Sequence, residues 1–129
     1  MPKGLTTHQE WVLEACEGAE SCLSLFRSSF PEDARPELAV AMARRWIIGS
    51  ASEETCQAAY DAANAAAIYA RGFIGGGAKE DEDRDRAAFL AARCAVRALG
   101  ATFDPDRAPR YSLLADLDSF EARALGNKG

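Results

Sequence analysis

Ser52-Glu53-Glu54-Thr55-Cys56-Gln57-Ala58-Ala59-Tyr60-Asp61-Ala62-Ala63-Asn64-Ala65-Ala66-Ala67-Ile68-Tyr69-Ala70-Arg71 is the stretch on which the fold turns. It holds no glycine or proline, and alanine, its commonest residue, is the best helix former. Cys56, Ala59, Ala63, Ala66, Ala67 and Ala70 fall along one face at helical spacing, with Tyr60 and Tyr69 as larger fillers. The spacing predicts a long helix from about Ser52 to Arg71. Its small residues let a neighbouring backbone approach to the short end of the usual separation, about 8 Å. Ser50 and Glu53 have the spacing of a capping box at its start, and Gly72-Phe73-Ile74-Gly75-Gly76-Gly77 breaks it.

The same bias runs through the whole chain. Of 129 residues, 27 are alanine and only seven are Val or Ile, which argues against a β-sandwich or barrel. Hydrophobic residues at 48% and charged residues at 27% describe one folded domain rather than a disordered segment. Working toward the N-terminus, a helix beginning at Pro36 and ending at Gly49 carries Leu38, Ala39, Met42, Ala43 and Trp46 as its apolar side, with Arg44 and Arg45 turned away. Before it, Thr7 and Glu10 suggest a capped first helix running to about Ser28 through Trp11, Ala15, Cys22 and Phe26, stopped by Phe30-Pro31.

Toward the C-terminus, a fourth helix buries Ala88, Ala91, Ala92, Ala95 and Leu99 and stops at Gly100. A last one, from about Ser112 to Ala124, presents Leu113, Leu114, Leu117 and Phe120. The expectation is an all-α fold, a compact antiparallel bundle of about five helices.

Charge and side-chain chemistry narrow the function. A net charge of −5 disfavours direct binding of nucleic acid. Met1 to Glu10 lacks the apolar core of a secretory signal, and apolar runs such as Ala65 to Ala70 are too short for a bilayer, so a cytoplasmic protein is expected. Cys16, Cys22, Cys56 and Cys94 form no CxxC pair and read as reduced core fillers. His8, the one histidine, has no evident catalytic partner, and HExxH is absent. Gly77-Ala78-Lys79-Glu80 replaces the GK[ST] that a phosphate-binding loop needs. The expectation is no enzyme, no metal and no cofactor.

Two acidic groups remain as candidate binding residues. Glu80, Asp81, Glu82, Asp83 and Asp85 precede the fourth helix, where negative charge also favours the helix dipole. Asp116, Asp118 and Glu121 make a second acidic surface on the last helix, which could equally be its solvated side. Both would suit a protein target with a basic surface, since complementary charge speeds encounter and rejects wrong partners.

The order Cys22-Leu23-Ser24-Leu25-Phe26, Pro31-Glu32-Asp33-Ala34-Arg35-Pro36-Glu37-Leu38-Ala39, Arg44-Arg45-Trp46-Ile47-Ile48-Gly49 and the alanine run from Ala58 to Ala67 resembles the immunity-protein-5-like family of bacterial polymorphic toxin systems. The likeness covers about residues 11–100 of a single domain over 1–129, leaving 101–129 as a C-terminal extension. Asp33, Arg35, Pro36, Trp46 and Gly49 carry it as fold-determining positions, with Asp33 able to cap the second helix. The chain departs from the family where alanine-rich helices carry histidine: Asn64 stands in that neighbourhood, and no histidine follows His8.

The resemblance implies a non-catalytic inhibitor that blocks a toxin or nuclease-type effector by steric occlusion. A phage or mobile-element inhibitor of a host defence complex, of the anti-CRISPR kind, needs the same acidic scaffold and is the alternative. A small helical ligand-binding protein or enzyme is the second alternative, and a homodimer the third arrangement that exposed apolar surface would support.

Overall fold

In a computed structural model describing residues 4–77 and 81–126, Thr6 rather than Thr7 starts the first helix. The Thr6 hydroxyl accepts the Gln9 backbone N–H at 3.1 Å, and the Gln9 side chain accepts the Thr6 N–H at 2.8 Å, closing the capping box one residue early. This helix, α1, spans Thr7–Glu20. The expected continuation to Ser28 is instead a second helix, α2, Leu23–Ser29. The break has a local cause. Ser21 Oγ donates to the Gly18 carbonyl at 2.6 Å, and Cys22 Sγ donates to the Ala19 carbonyl at 3.4 Å. Side chains thereby occupy carbonyls that the next helical turn would use.

α3 spans Arg35–Ile47, with Pro36 in its first turn. Ala34 is the N-cap residue, yet Asp33 still holds the start: its Oδ1 accepts the Arg35 backbone N–H at 3.1 Å and Nε at 2.9 Å, and its Oδ2 accepts the guanidinium at 2.7 Å. The adjacent guanidinium keeps the Asp33 carboxyl below the usual carboxylate range. α3 is rotated from the expected orientation. It buries Pro36, Ala39, Val40, Ala43 and Ile47, leaving Met42 and Trp46 at the edge and Leu38 exposed. Gly49 leaves the helix with a φ of +78°, a conformation that favours glycine.

α4 spans Glu53–Arg71, close to the expected bounds. Its cap is Ser52 with Thr55, not Ser50 with Glu53: the Ser52 hydroxyl accepts the Thr55 N–H, and Thr55 Oγ1 accepts the Ser52 N–H, each at 3.1 Å. Ser52→Ala is expected to cost about 1 kcal/mol, read as a lower urea midpoint with an unchanged slope. Cys56, Ala63, Ala66, Ala67 and Ala70 are buried as the periodicity predicts, with Ala59 at the margin.

α5, Glu82–Gly100, is the axis of the bundle and packs against all five other helices. It is buried almost all round from Ala87 to Gly100, the pattern of a central helix rather than an amphipathic one. The helix ends where expected, with Gly100 as its last residue and Ala101 as the C-cap. A Cβ on Gly100 would lie 3.2 Å from the Tyr111 ring and 3.3 Å from Tyr60, so the missing side chain lets both rings close on the axis. His8 is tied into the same end: its Nε2 lies 2.7 Å from the Ala101 carbonyl, and its ring packs 4.6 Å from Trp46, centroid to centroid.

α6, Ala108–Gly126, completes an antiparallel all-α bundle of six helices among the described residues. None of them is long and apolar enough to cross a membrane.

Candidate functional site

The orientation of α6 creates the candidate site. Ser112, Ala115, Ser119 and Ala122 recur at intervals of three and four and are buried, together with Ala108 and Asp118. Small side chains on this stripe let α6 lie close on its neighbours. Cys94 Sγ donates to the Ala115 carbonyl at 3.1 Å, and the Ser119 and Ser21 hydroxyls are 2.7 Å apart. The expected apolar side is thus turned outward: Leu113, Leu117 and Phe120 are 59%, 56% and 70% exposed. Hydrophobicity alone does not set which side of this helix is buried. Close backbone approach and polar pairing set the rotation instead.

Asp118 is the second correction. It is only 2% exposed and therefore no part of an acidic surface. Arg93 grips it at 2.8 Å and 3.1 Å, and Arg97 reaches it at 2.8 Å. Arg97 also donates to the Leu114 carbonyl at 3.4 Å, and the Arg93 guanidinium lies 5.0 Å from the centre of the Phe89 ring. These contacts fix α6 on α5 by charge-assisted, partly desolvated bonds. An ionised carboxylate is tolerated at this depth because both its oxygens are satisfied.

Asp116 and Glu121 stay accessible, Asp116 half-buried and Glu121 exposed. Asp116 faces α1 across a groove bordered by Glu14, Glu17, Gly18 and Ser21 on one side and by Leu117, Ser119, Phe120 and Arg123 on the other. Glu14 accepts the Ser112 hydroxyl at 3.2 Å. The Asp116 carboxyl titrates above the usual carboxylate range, first because of partial burial, then because of the charge and hydrogen bond of Glu14, with Arg123 opposing. The fold therefore favours protonated Asp116. As pH rises from below the ordinary value through the raised one, this group's contribution falls, and at neutral pH its charge opposes folding. Gly18 supplies the room, since a Cβ there would sit 3.0 Å from Asp116 Oδ1.

The acidic run before α5 is placed differently. Asp81 is the N-cap residue and pairs with Arg84 at 3.1 Å, while Glu82 pairs with Arg86 at 3.5 Å. Glu82, Asp83 and Asp85 lie in the first turn, where they complement the helix dipole. Glu80 lies outside the described residues. Among the described residues, the acids that line a groove with Asp116 are Glu14 and Glu17 of α1. Glu14 and Glu17 escaped the sequence reading because nothing local links them to α6. The small-residue stripe through Ser112, Ala115, Ser119 and Ala122 was the available signal.

The four cysteines are buried free thiols. Burial pushes Cys16 up to about 12, which holds it as the neutral thiol at physiological pH.

A family model described as Imm-5 like putative immunity protein matches residues 4–103. The match is wider at both ends than the expected 11–100 and stops before α6 begins at Ala108. No curated protein and no solved structure matches the chain.

Proposed function

Because this chain belongs to the Imm-5-like immunity protein family, we propose that it is a non-catalytic inhibitor that binds a toxin effector with a basic surface and blocks it by occlusion. The observation that carries the reading is an apolar surface left uncovered on an acidic protein. Leu113, Leu117 and Phe120 stand on one stripe of α6, flanked by Asp116 and Glu121, in a chain of net charge −5. Contiguous exposed apolar side chains rimmed by polar groups mark sites of association. The surrounding acids select a cationic partner over nucleic acid or an anionic membrane.

Inhibition of this kind needs no proton transfer or covalent step, only a complex that outlives the target's encounters with its substrate. The cytoplasm, where such an effector would act on its own producer, is the compartment this reading assigns.

The test is co-expression with candidate toxin effectors, beginning with the products of whatever genes neighbour this chain's own. A stoichiometric complex is expected, together with restored growth, and affinity should fall as salt rises because exposed charges are screened beyond about 10 Å at 0.1 M. Protection at catalytic rather than stoichiometric amounts of this chain, or no complex with any of them, would contradict the proposal.

A further inference from the structure

We infer that the outer face shared by α1 and α6 docks a cationic segment of the partner protein, whose arginine or lysine sits between Glu14 and Asp116 while apolar neighbours cover Leu117 and Phe120. The inference rests on the reading of the chain as a binding protein and assigns the surface and the chemistry of what covers it.

Three observations converge on this face. The apolar stripe is unpartnered on the outer side of α6, so burying Leu117 and Phe120 would release water from large side chains. Beside that stripe, Glu14 and Asp116 line one groove together with Arg123, and the charge of Glu14 helps to raise the Asp116 carboxyl. Like charges held together at some cost to the free chain are relieved by an incoming cation, so the partner gains what the fold gave up. Finally, Gly18 leaves the place of its Cβ to the Asp116 carboxylate, in the middle of a helix where glycine is unfavourable by about 1 kcal/mol relative to alanine.

Charge complementarity also decides among occupants. A second copy docked symmetrically would bring the face that carries Glu14, Glu17 and Asp116 against the same acidic face. A phosphate backbone or an anionic bilayer would meet the same repulsion. A basic segment with apolar flanks satisfies both halves of the face.

The experiment uses the full chain, an amphipathic Lys/Leu helical peptide and its Glu/Leu counterpart as probes, and the effector as partner. Amide shift changes on adding the Lys/Leu peptide are expected along α1 and α6, with no response to the Glu/Leu peptide. Asp116→Asn should weaken peptide and effector binding about tenfold. It should also raise Tm by about 2 °C by removing the like-charge repulsion. A residue important only for structure would lose stability and binding together.

Shift changes mapping to another face, equal response to both peptides, or unchanged effector affinity in Asp116→Asn would overturn the assignment. If the effector binds but ignores Asp116→Asn, the face is wrong and the inhibitor reading stands. If the Lys/Leu peptide binds here while the effector does not bind at all, the face stands and the inhibitor reading falls.

Discussion

Asp118→Ala is expected to lower stability by about 3 kcal/mol, or Tm by roughly 10 °C in a chain of this size. The carboxylate is almost fully enclosed and answers both Arg93 and Arg97. Removing it leaves two guanidinium groups facing each other at the α5–α6 contact. Arg93 is over a third exposed and can turn to water, which keeps the loss at the low end for a broken buried pair; Arg97, whose side chain is 22% exposed, has less freedom. Burial already pulls Arg97 below the usual guanidinium range, so it depends on this partner.

Thermal and urea unfolding check the prediction. The double variant Arg97→Met with Asp118→Leu should recover much of the loss, because it removes the desolvated charges together instead of stranding one. A loss under about 1 kcal/mol for Asp118→Ala would mean that the pair is a surface ion pair in effect.

The second large effect concerns binding. Leu117→Ser together with Phe120→Ser is expected to weaken association with the effector by at least about a hundredfold, or 2.7 kcal/mol, with Tm held or raised. Both side chains lie mostly in solvent, so their truncation removes little folded-state packing. Aromatic and large aliphatic anchors commonly carry most of an interface's energy once water is excluded around them. Titration calorimetry on the purified double variant reads the affinity, and circular dichroism confirms the fold. A parallel fall of affinity and Tm would assign the stripe to packing.

Helix identity was legible in the chain, as were the buried faces of α4 and α5, but the rotation of α3 and α6 was not. Alanine content, Pro36 and the glycine run after Arg71 are local signals, and each places a helix or an end close to where it lies. Rotation depends on what faces each helix. In α3 and α6 the buried stripes are Pro36, Ala39, Val40 and Ala43, and Ser112, Ala115, Ser119 and Ala122, whereas Leu38, Leu117 and Phe120 are displaced outward. Counting large apolar residues misreads such helices because small residues bury by bringing backbones together.

The acids follow the same logic. Asp118 resembled a solvated residue because its partners lie on another helix, at Arg93 and Arg97. Asp116 gained its meaning only from Glu14 and Gly18, nearly the whole chain away. Glu82 and Asp83, by contrast, are legible as acids near a helix start from their neighbours alone, although they lie in the first turn rather than ahead of it.

Hydrogen exchange on this chain, free and saturated with its effector, tests the central claim most directly. Covering the face from Glu14 to Gly18 and from Leu113 to Phe120 should slow exchange along α1 and α6 and leave α3 and α4 unchanged. Slowing confined to α3, α4 or the start of α5, with α1 and α6 exchanging as in the free chain, would contradict it.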